Sequence, residues 1–388
     1  MKALTRREFV RKALAVGVGA SVVACSGVES LSPQPEEDEQ VGLEEPSPLA
    51  GELHEARYYI QLEDNVVQCQ MCFRTCTVPE DGLGFCRNKK NVGGKYYTRV
   101  YAKPCALQID PIEKEPAFHM LPRATIFCTG TASCNNLCKH CHNWHMSQRS
   151  VEETVNYFAP PSKVVELAMR NDCDAVSFTY NEPTVFYEQM FDTAKLAKES
   201  GLKALFHTNG SMNPEPLFAL LEHIDAVTVD LKAFTAEFYQ QVSSSELWPV
   251  LRTLENIRKA GKHLEIVNLV IPTKNDDLDD IRNMCIWIRE NLGDEVPLHF
   301  TRFSPAYKLT NLPPTPVETL EAAARIADEE GLQYVYVGNV PGHERNSTFC
   351  PQCGKRIILR IHFSVLTMDI ESGKCKFCGH EIPGIWWG

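Results

Sequence analysis

From about residue 124 the chain alternates between short apolar runs and longer helix-like stretches. The runs at 124–129, 175–180, 204–208, 226–231, 264–271 and 298–303 read as strands, with 333–337 as a seventh candidate. Between them lie helix-like stretches, among them 162–169, 185–199, 246–260, 279–291 and 317–330. Repeated strand–helix units build a parallel sheet with helices outside it, so the pattern predicts an α/β barrel or a doubly wound sheet.

The polar residues favour the barrel. Asn181 and Glu182, Thr208 and Asn209, Asp230 and Lys232, and Arg302 each fall at or just past the end of a strand-like run. In a βα barrel that face carries the active site. Any one of these could be an ordinary turn residue; their recurrence on successive strands points to a shared site.

The ends of the chain read differently. Residues 1–25 resemble an export leader, with Thr5-Arg6-Arg7-Glu8-Phe9-Val10-Arg11 similar to a twin-arginine signal and Val22-Val23-Ala24-Cys25 similar to a lipobox. The apolar run 13–24 would span about 18 Å as a helix, well short of a hydrocarbon core of about 30 Å. A removable signal with a lipid anchor at Cys25 therefore fits better than a membrane span, and implies a membrane-anchored lipoprotein; without use of the signal the protein would be cytoplasmic. Residues 26–56 are acidic, contain four prolines and no Lys or Arg, and read as a disordered tether.

Formal net charge is −11, and the leader is basic, so the remainder is more acidic still. Phosphate-backbone binding needs clustered Lys and Arg, which argues against a nucleic-acid partner. Of sixteen cysteines, eleven fall into tight groups: Cys69/Cys72/Cys76/Cys86, Cys134/Cys138/Cys141 and Cys350/Cys353/Cys375/Cys378. Thiols two or three residues apart converge on metal more readily than they form disulfides.

The central group, Cys134-Asn-Asn-Leu-Cys138-Lys-His-Cys141, directly follows the first barrel strand. Three thiolates can hold three irons of a [4Fe–4S] cluster and leave the fourth open, whereas most such clusters take four cysteines. The competing reading is a zinc site completed by His140, His142 or His145.

At these residues the chain resembles the radical S-adenosylmethionine (SAM) superfamily. More narrowly, it resembles the radical SAM enzyme of the AmmeMemoRadiSam system, related to pyruvate formate-lyase activating enzymes. The resemblance runs from about Val67 to Trp386. It includes Cys141-His142-Asn143-Trp144, Thr179-Tyr180-Asn181-Glu182-Pro183-Thr184, Asp230-Leu231-Lys232, His299-Phe300-Thr301-Arg302-Phe303 and Val337-Gly338-Asn339-Val340-Pro341-Gly342-His343-Glu344. It implies a partial (βα)6 barrel over 123–342, an N-terminal four-cysteine module over 57–122 and a zinc-ribbon-like module over 343–388.

The resemblance also implies roles. Cys134, Cys138 and Cys141 would hold the cluster. Asn181 and Glu182 would meet the SAM ammonium, His140 the adenine, Thr208 and Asn209 the methionine and ribose side, and Asn268 the ribose and adenine. Asp230, Lys232, His299 and Arg302 would face the substrate, a small molecule or a partner protein, with a Memo-type protein among the candidates. Activating enzymes of this kind often carry Asp where this chain has His207, which puts their monovalent-cation site beside SAM in doubt here. A low-potential electron donor is required.

Glycine after the second cysteine of each C-terminal pair, Gly354 and Gly379, permits a tight turn, so Cys350, Cys353, Cys375 and Cys378 are expected to close around zinc. For Cys69, Cys72, Cys76 and Cys86, zinc is favoured over an iron–sulfur cluster, which the spacing leaves open. A rival of another class is a lipid-tethered metalloprotein or electron carrier without catalysis. Such a carrier would be expected to complete its cluster with a fourth cysteine and has no need of Asn181 and Glu182.

Overall fold

The strands of the barrel region are apolar on both faces, because helices cover one face and the barrel interior the other. In the computed structural model, which describes residues 53–387, Ala175–Phe178 is buried throughout, as are Ala226 to Val229 of Ala226–Asp230. The leader, Cys25 and residues 26–52 of the acidic stretch lie outside the described residues.

These strands form one eight-stranded sheet in which neighbours in sequence are neighbours in space. Thr125–Gly130, Ala175–Phe178, Lys203–Thr208, Ala226–Asp230, His263–Val270, Leu298–Arg302 and Val335–Gly338 pair in parallel. This order has no reversal point, so the sheet is barrel-like rather than doubly wound. All strand ends that carry the expected polar residues consequently face one way. Ala106–Pro111 adds an antiparallel edge against Thr125–Gly130, although the sequence groups it with the four-cysteine module. Its alternating burial gave no barrel-strand signal.

The helices bury one face each. In Pro161–Arg170, Val164, Val165, Leu167 and Ala168 are buried while Glu166 and Arg170 are exposed. Leu278–Asn291 starts at Asp277, whose Oδ1 accepts the backbone N–H of Asp279 at 2.9 Å and of Asp280 at 3.1 Å. That cap satisfies two of the unpaired donors at a helix start and ends the preceding loop.

The two cysteine-rich modules are joined to the barrel by buried contacts. The N-terminal module contains two small antiparallel sheets, one from His54–Glu55, Lys95–Thr98 and Lys89–Val92, the other from Tyr59–Gln61, Val67–Cys69 and Thr77–Val78. Lys89 reaches Glu188 of the barrel helix Tyr187–Glu199 at 2.6 Å, with both side chains at most 2% exposed. The C-terminal module packs Ile357, Ile358 and Ile370 against Phe118, Tyr334 and Tyr336.

A buried ion pair is costly to break because the remaining charge has no water. Glu188→Ala should therefore lower stability by about 3–5 kcal/mol. The double replacement Lys89→Met with Glu188→Leu should recover most of that loss. Urea unfolding of the three proteins checks this; equal losses in the single and double variants would show that the stranded charge is not the cause.

Candidate active site

The loop from Thr131 to Cys141 leaves the first parallel strand and needs outside support, since it has no ladder of its own. Asn181 supplies part of it. Its Oδ1 accepts the Thr131 N–H at 3.1 Å, and its Nδ2 donates to the Ser133 carbonyl at 2.7 Å. Gly130 is needed where these segments meet, because a Cβ there would stand 2.7 Å from the Thr179 carbonyl oxygen.

Glu182, only 2% exposed, is the hub of the remaining support. Its Oε1 accepts from the Thr184 N–H, the Thr184 hydroxyl and the Thr208 hydroxyl at 3.1, 2.5 and 2.7 Å, and its Oε2 accepts the Asn209 N–H at 2.7 Å. Burial pushes its carboxyl above the usual range, and the bonds from Thr184, Asn209 and Thr208 pull it back. Asn209 then donates from Nδ2 to Asn135 Oδ1 at 2.8 Å, and Asn135 donates to Ser211 Oγ at 2.8 Å. Asn181 and Glu182 thus hold the cysteine loop and the Thr208–Asn209 turn. Asn135 was not singled out from the sequence, although its place between the first two cysteines of the motif was a usable signal.

Burial pushes the thiols of Cys134, Cys138 and Cys141 up. Such thiols ionise only with compensating positive charge, which a metal supplies. Beside them, the Nδ1 of His140 and both side-chain polar atoms of Asn136 are buried without a protein partner. Unpaired buried polar atoms around buried thiols fit a site shaped for a polar group. Burial, then the Lys232 ammonium, lower the His140 pKa to about 3, so its imidazole is neutral. Asn268 stands apart from the thiols: its Nδ2 donates to the Leu231 carbonyl at 2.8 Å and lies 3.7 Å from the Met284 sulfur, so its amide faces helix Leu278–Asn291 and not the cysteine loop.

At the next strand ends, Asp230 lies between two cations. Its Oδ2 accepts from Lys232 Nζ at 2.6 Å, and its Oδ1 lies 2.9 Å from His207 Nε2. The other ring nitrogen of His207 is 2.6 Å from the Glu115 carbonyl oxygen. Both partners are acceptors only, so both ring nitrogens donate and the ring is an imidazolium. Burial opposes this, but Asp230 prevails and raises His207 to about 9. Burial alone would raise the Asp230 carboxyl; Lys232 and His207 hold it far below its usual range.

Arg302 and His299 stand outside this group. Arg302 Nε donates to the Thr315 carbonyl at 2.7 Å. His299 is 1% exposed, bonds Glu265 at 2.7 Å and stacks on Tyr336 with ring centroids 4.9 Å apart. The sequence placed it by its motif, but packing against Phe118 and Tyr336 enlists it in a buried polar network.

The four C-terminal cysteines converge. All four sulfurs lie within 4.8 Å of one another, with Cys350 to Cys378 at 3.6 Å and Cys353 to Cys375 at 3.8 Å. Gly354 and Gly379 have φ of +69° and +77°, the left-handed backbone that each turn requires.

The sequence profile of the Radical SAM superfamily matches residues 129–285, a span that contains the three-cysteine loop, Glu182 and Asp230. An uncharacterized protein of Methanocaldococcus jannaschii is 45% identical over 332 residues, covering 85% of this chain and 99% of that protein. A second protein of that organism, named as a candidate glycyl-radical enzyme activating enzyme, is 27% identical over 176 residues, covering 41% of this chain and 66% of its own length. Among solved structures, a domain of a pyruvate-formate lyase-activating enzyme from Bacteroides vulgatus aligns with 42% of this chain and 99% of its own, at 16% identity and a TM-score of 0.38. The chain belongs to the radical SAM superfamily. Membership makes it an enzyme class that uses a [4Fe–4S] cluster and SAM.

The His207–Asp230 pair sets a pH dependence. Because His207 is raised from 6.5 to about 9 on folding, its contribution is fully present below pH 6.5 and is lost as pH rises through about 9. The lowered Asp230 contributes above its ordinary 3.8 and loses that contribution on acidification. His207→Gln should lower Tm by roughly 2–4 °C at pH 6, and by less at pH 10. Equal losses at both pH values in thermal melts would show that the ring is neutral in the fold.

Proposed function

We propose that this protein cleaves SAM reductively at a [4Fe–4S] cluster held by Cys134, Cys138 and Cys141, and removes hydrogen from a substrate at the Asp230–Lys232 end of the barrel. The observation that carries the reading is the three-thiol loop, fixed from Asn181, Glu182 and Asn209 and bordered by the unpaired atoms of His140 and Asn136. When bound, the cluster and SAM supply a one-electron cleavage that yields a 5′-deoxyadenosyl radical.

The residues of the chain bind and position. Neutral His140 offers an aromatic face for adenine without carrying charge into the buried site. Glu182 acts through others: it fixes Thr208 and Asn209, which line the methionine side, and Asn181 fixes the backbone leading to Cys134. Lys232 and the His207 imidazolium place positive charge on both sides of Asp230. Two protein cations there leave a monovalent metal ion no evident electrostatic role, which accords with His207 in place of Asp. The substrate is a small molecule or a partner protein, and the electron comes from a low-potential donor.

Anaerobically reconstituted and reduced protein should release 5′-deoxyadenosine from SAM, and its cluster signal in electron paramagnetic resonance should shift when SAM is added. Cys138→Ala should lose both. Survival of deoxyadenosine formation in that variant would refute the three-cysteine assignment.

We further propose that Cys350, Cys353, Cys375 and Cys378 bind zinc. Four thiolates at about 2.3 Å from one ion stand about 3.8 Å apart, which matches the sulfur spacing of this group. A closed site of this kind contributes folding energy. Strong chelation should therefore release about one zinc per chain and lower Tm. Chelation that removes zinc without changing Tm would rule out a structural site.

A further inference from the structure

The N-terminal cysteines share the C-x2-C opening of the C-terminal group, yet their sulfurs are arranged differently. Among the described residues, no three of Cys69, Cys72, Cys76 and Cys86 lie mutually within 4.8 Å, whereas all four C-terminal sulfurs do. They nonetheless surround one region: the Tyr96 hydroxyl is within electrostatic reach of all four. A single tetrahedral zinc draws its thiolates to about 3.8 Å from one another. In an iron–sulfur cluster the thiolates bind different irons, so their sulfurs stand farther apart around a larger shared body.

This region lies directly behind the loop that carries Cys134. Ser133 Oγ donates to the Cys86 carbonyl at 2.5 Å, Asn88 Nδ2 donates to the Ala132 carbonyl at 2.7 Å, and Arg74 Nε donates to the Asn135 carbonyl at 2.6 Å. The Asn135 amide lies between the two cysteine groups. It contacts the Cys72 thiol on one side, and its Oδ1 is 3.9 Å from the Cys134 sulfur on the other. Arg74, held over the Phe85 ring at 3.6 Å, is within electrostatic reach of Cys72, Cys76 and Cys134 together. One fixed guanidinium thus offsets negative charge on both groups.

We propose that Cys69, Cys72, Cys76 and Cys86 bind an iron–sulfur cluster rather than zinc, and that this second redox centre exchanges single electrons with the centre at Cys134, Cys138 and Cys141. The electron enters from a low-potential one-electron donor of the reduced flavoprotein or iron–sulfur protein class. The second centre is reduced by one electron and reoxidised as that electron passes on; no bond is made or broken at this step. The electron-transfer part rests on the function proposed above, but the identity of the metal does not.

The test uses the full chain with Cys134, Cys138 and Cys141 all changed to Ala, reconstituted anaerobically with iron, sulfide and zinc. This variant should retain two to four irons with about equal sulfide, and its visible absorbance should bleach on reduction. Zinc should stay near one per chain, at the C-terminal group. A variant that holds about two zinc ions and no sulfide would overturn the proposal. Should that variant fail to fold, the wild type decides: iron should exceed the content of one four-iron cluster, and a total of about four irons would overturn it. Reduced wild type should show two paramagnetic centres that broaden each other, of which only one responds to SAM. Two unbroadened signals would refute electron exchange while leaving the metal assignment intact. Loss of deoxyadenosine formation with both metal results as expected would instead count against the proposed function.

Discussion

The cysteine loop depends on one buried carboxylate. Glu182 gathers donors from Thr184, Thr208 and Asn209, and Asn209 passes the constraint to Asn135, one residue beyond Cys134. In the low-dielectric interior each of these bonds is strong, and an unmade one is expensive, so the web has one satisfied arrangement. That arrangement couples the ends of two parallel strands, Ala175–Phe178 and Lys203–Thr208, to the loop that leaves a third. Without it, the segment from Thr131 to Cys141, which has little regular structure, would be free to move its thiols, and a cluster needs its ligands placed in advance.

Electrostatics around the loop follow the same logic of paired groups. Asp230 would be a costly buried anion alone; between Lys232 and the His207 imidazolium it becomes the link between two cations. His140 has no such partner and stays neutral under burial. The site therefore presents positive charge at one strand end and an uncharged aromatic ring near the thiols. Arg74 performs the corresponding task on the far side of the loop, where the N-terminal cysteines approach Cys134.

The two outer cysteine groups show how little a local motif fixes. Both contain C-x2-C, and both read most simply as zinc sites. In the C-terminal group, two short hairpin-like turns bring the pairs face to face, because Gly354 and Gly379 permit the necessary backbone. In the N-terminal group, Cys86 arrives from a separate segment, and Tyr96 lies within reach of all four thiols. The difference lies in how distant segments pack, not in the spacing of the first pair.

The sequence by itself determined the parallel strand–helix order, the strand ends that carry Asn181, Glu182, Thr208, Asn209, Asp230 and Lys232, and the three-cysteine loop. These are legible because strand period, helix period and metal-ligand spacing are local properties of the chain. Tertiary structure decided what the polar residues touch. It made Glu182 a brace, paired His207 with Asp230, drew His299 into the network of Glu265 and Tyr336, and left Arg302 on the Thr315 carbonyl. It also set Asn135 between Cys72 and Cys134, across 62 positions of sequence. Such contacts depend on the relative placement of segments far apart in the chain, which no local pattern of hydrophobic and polar residues encodes.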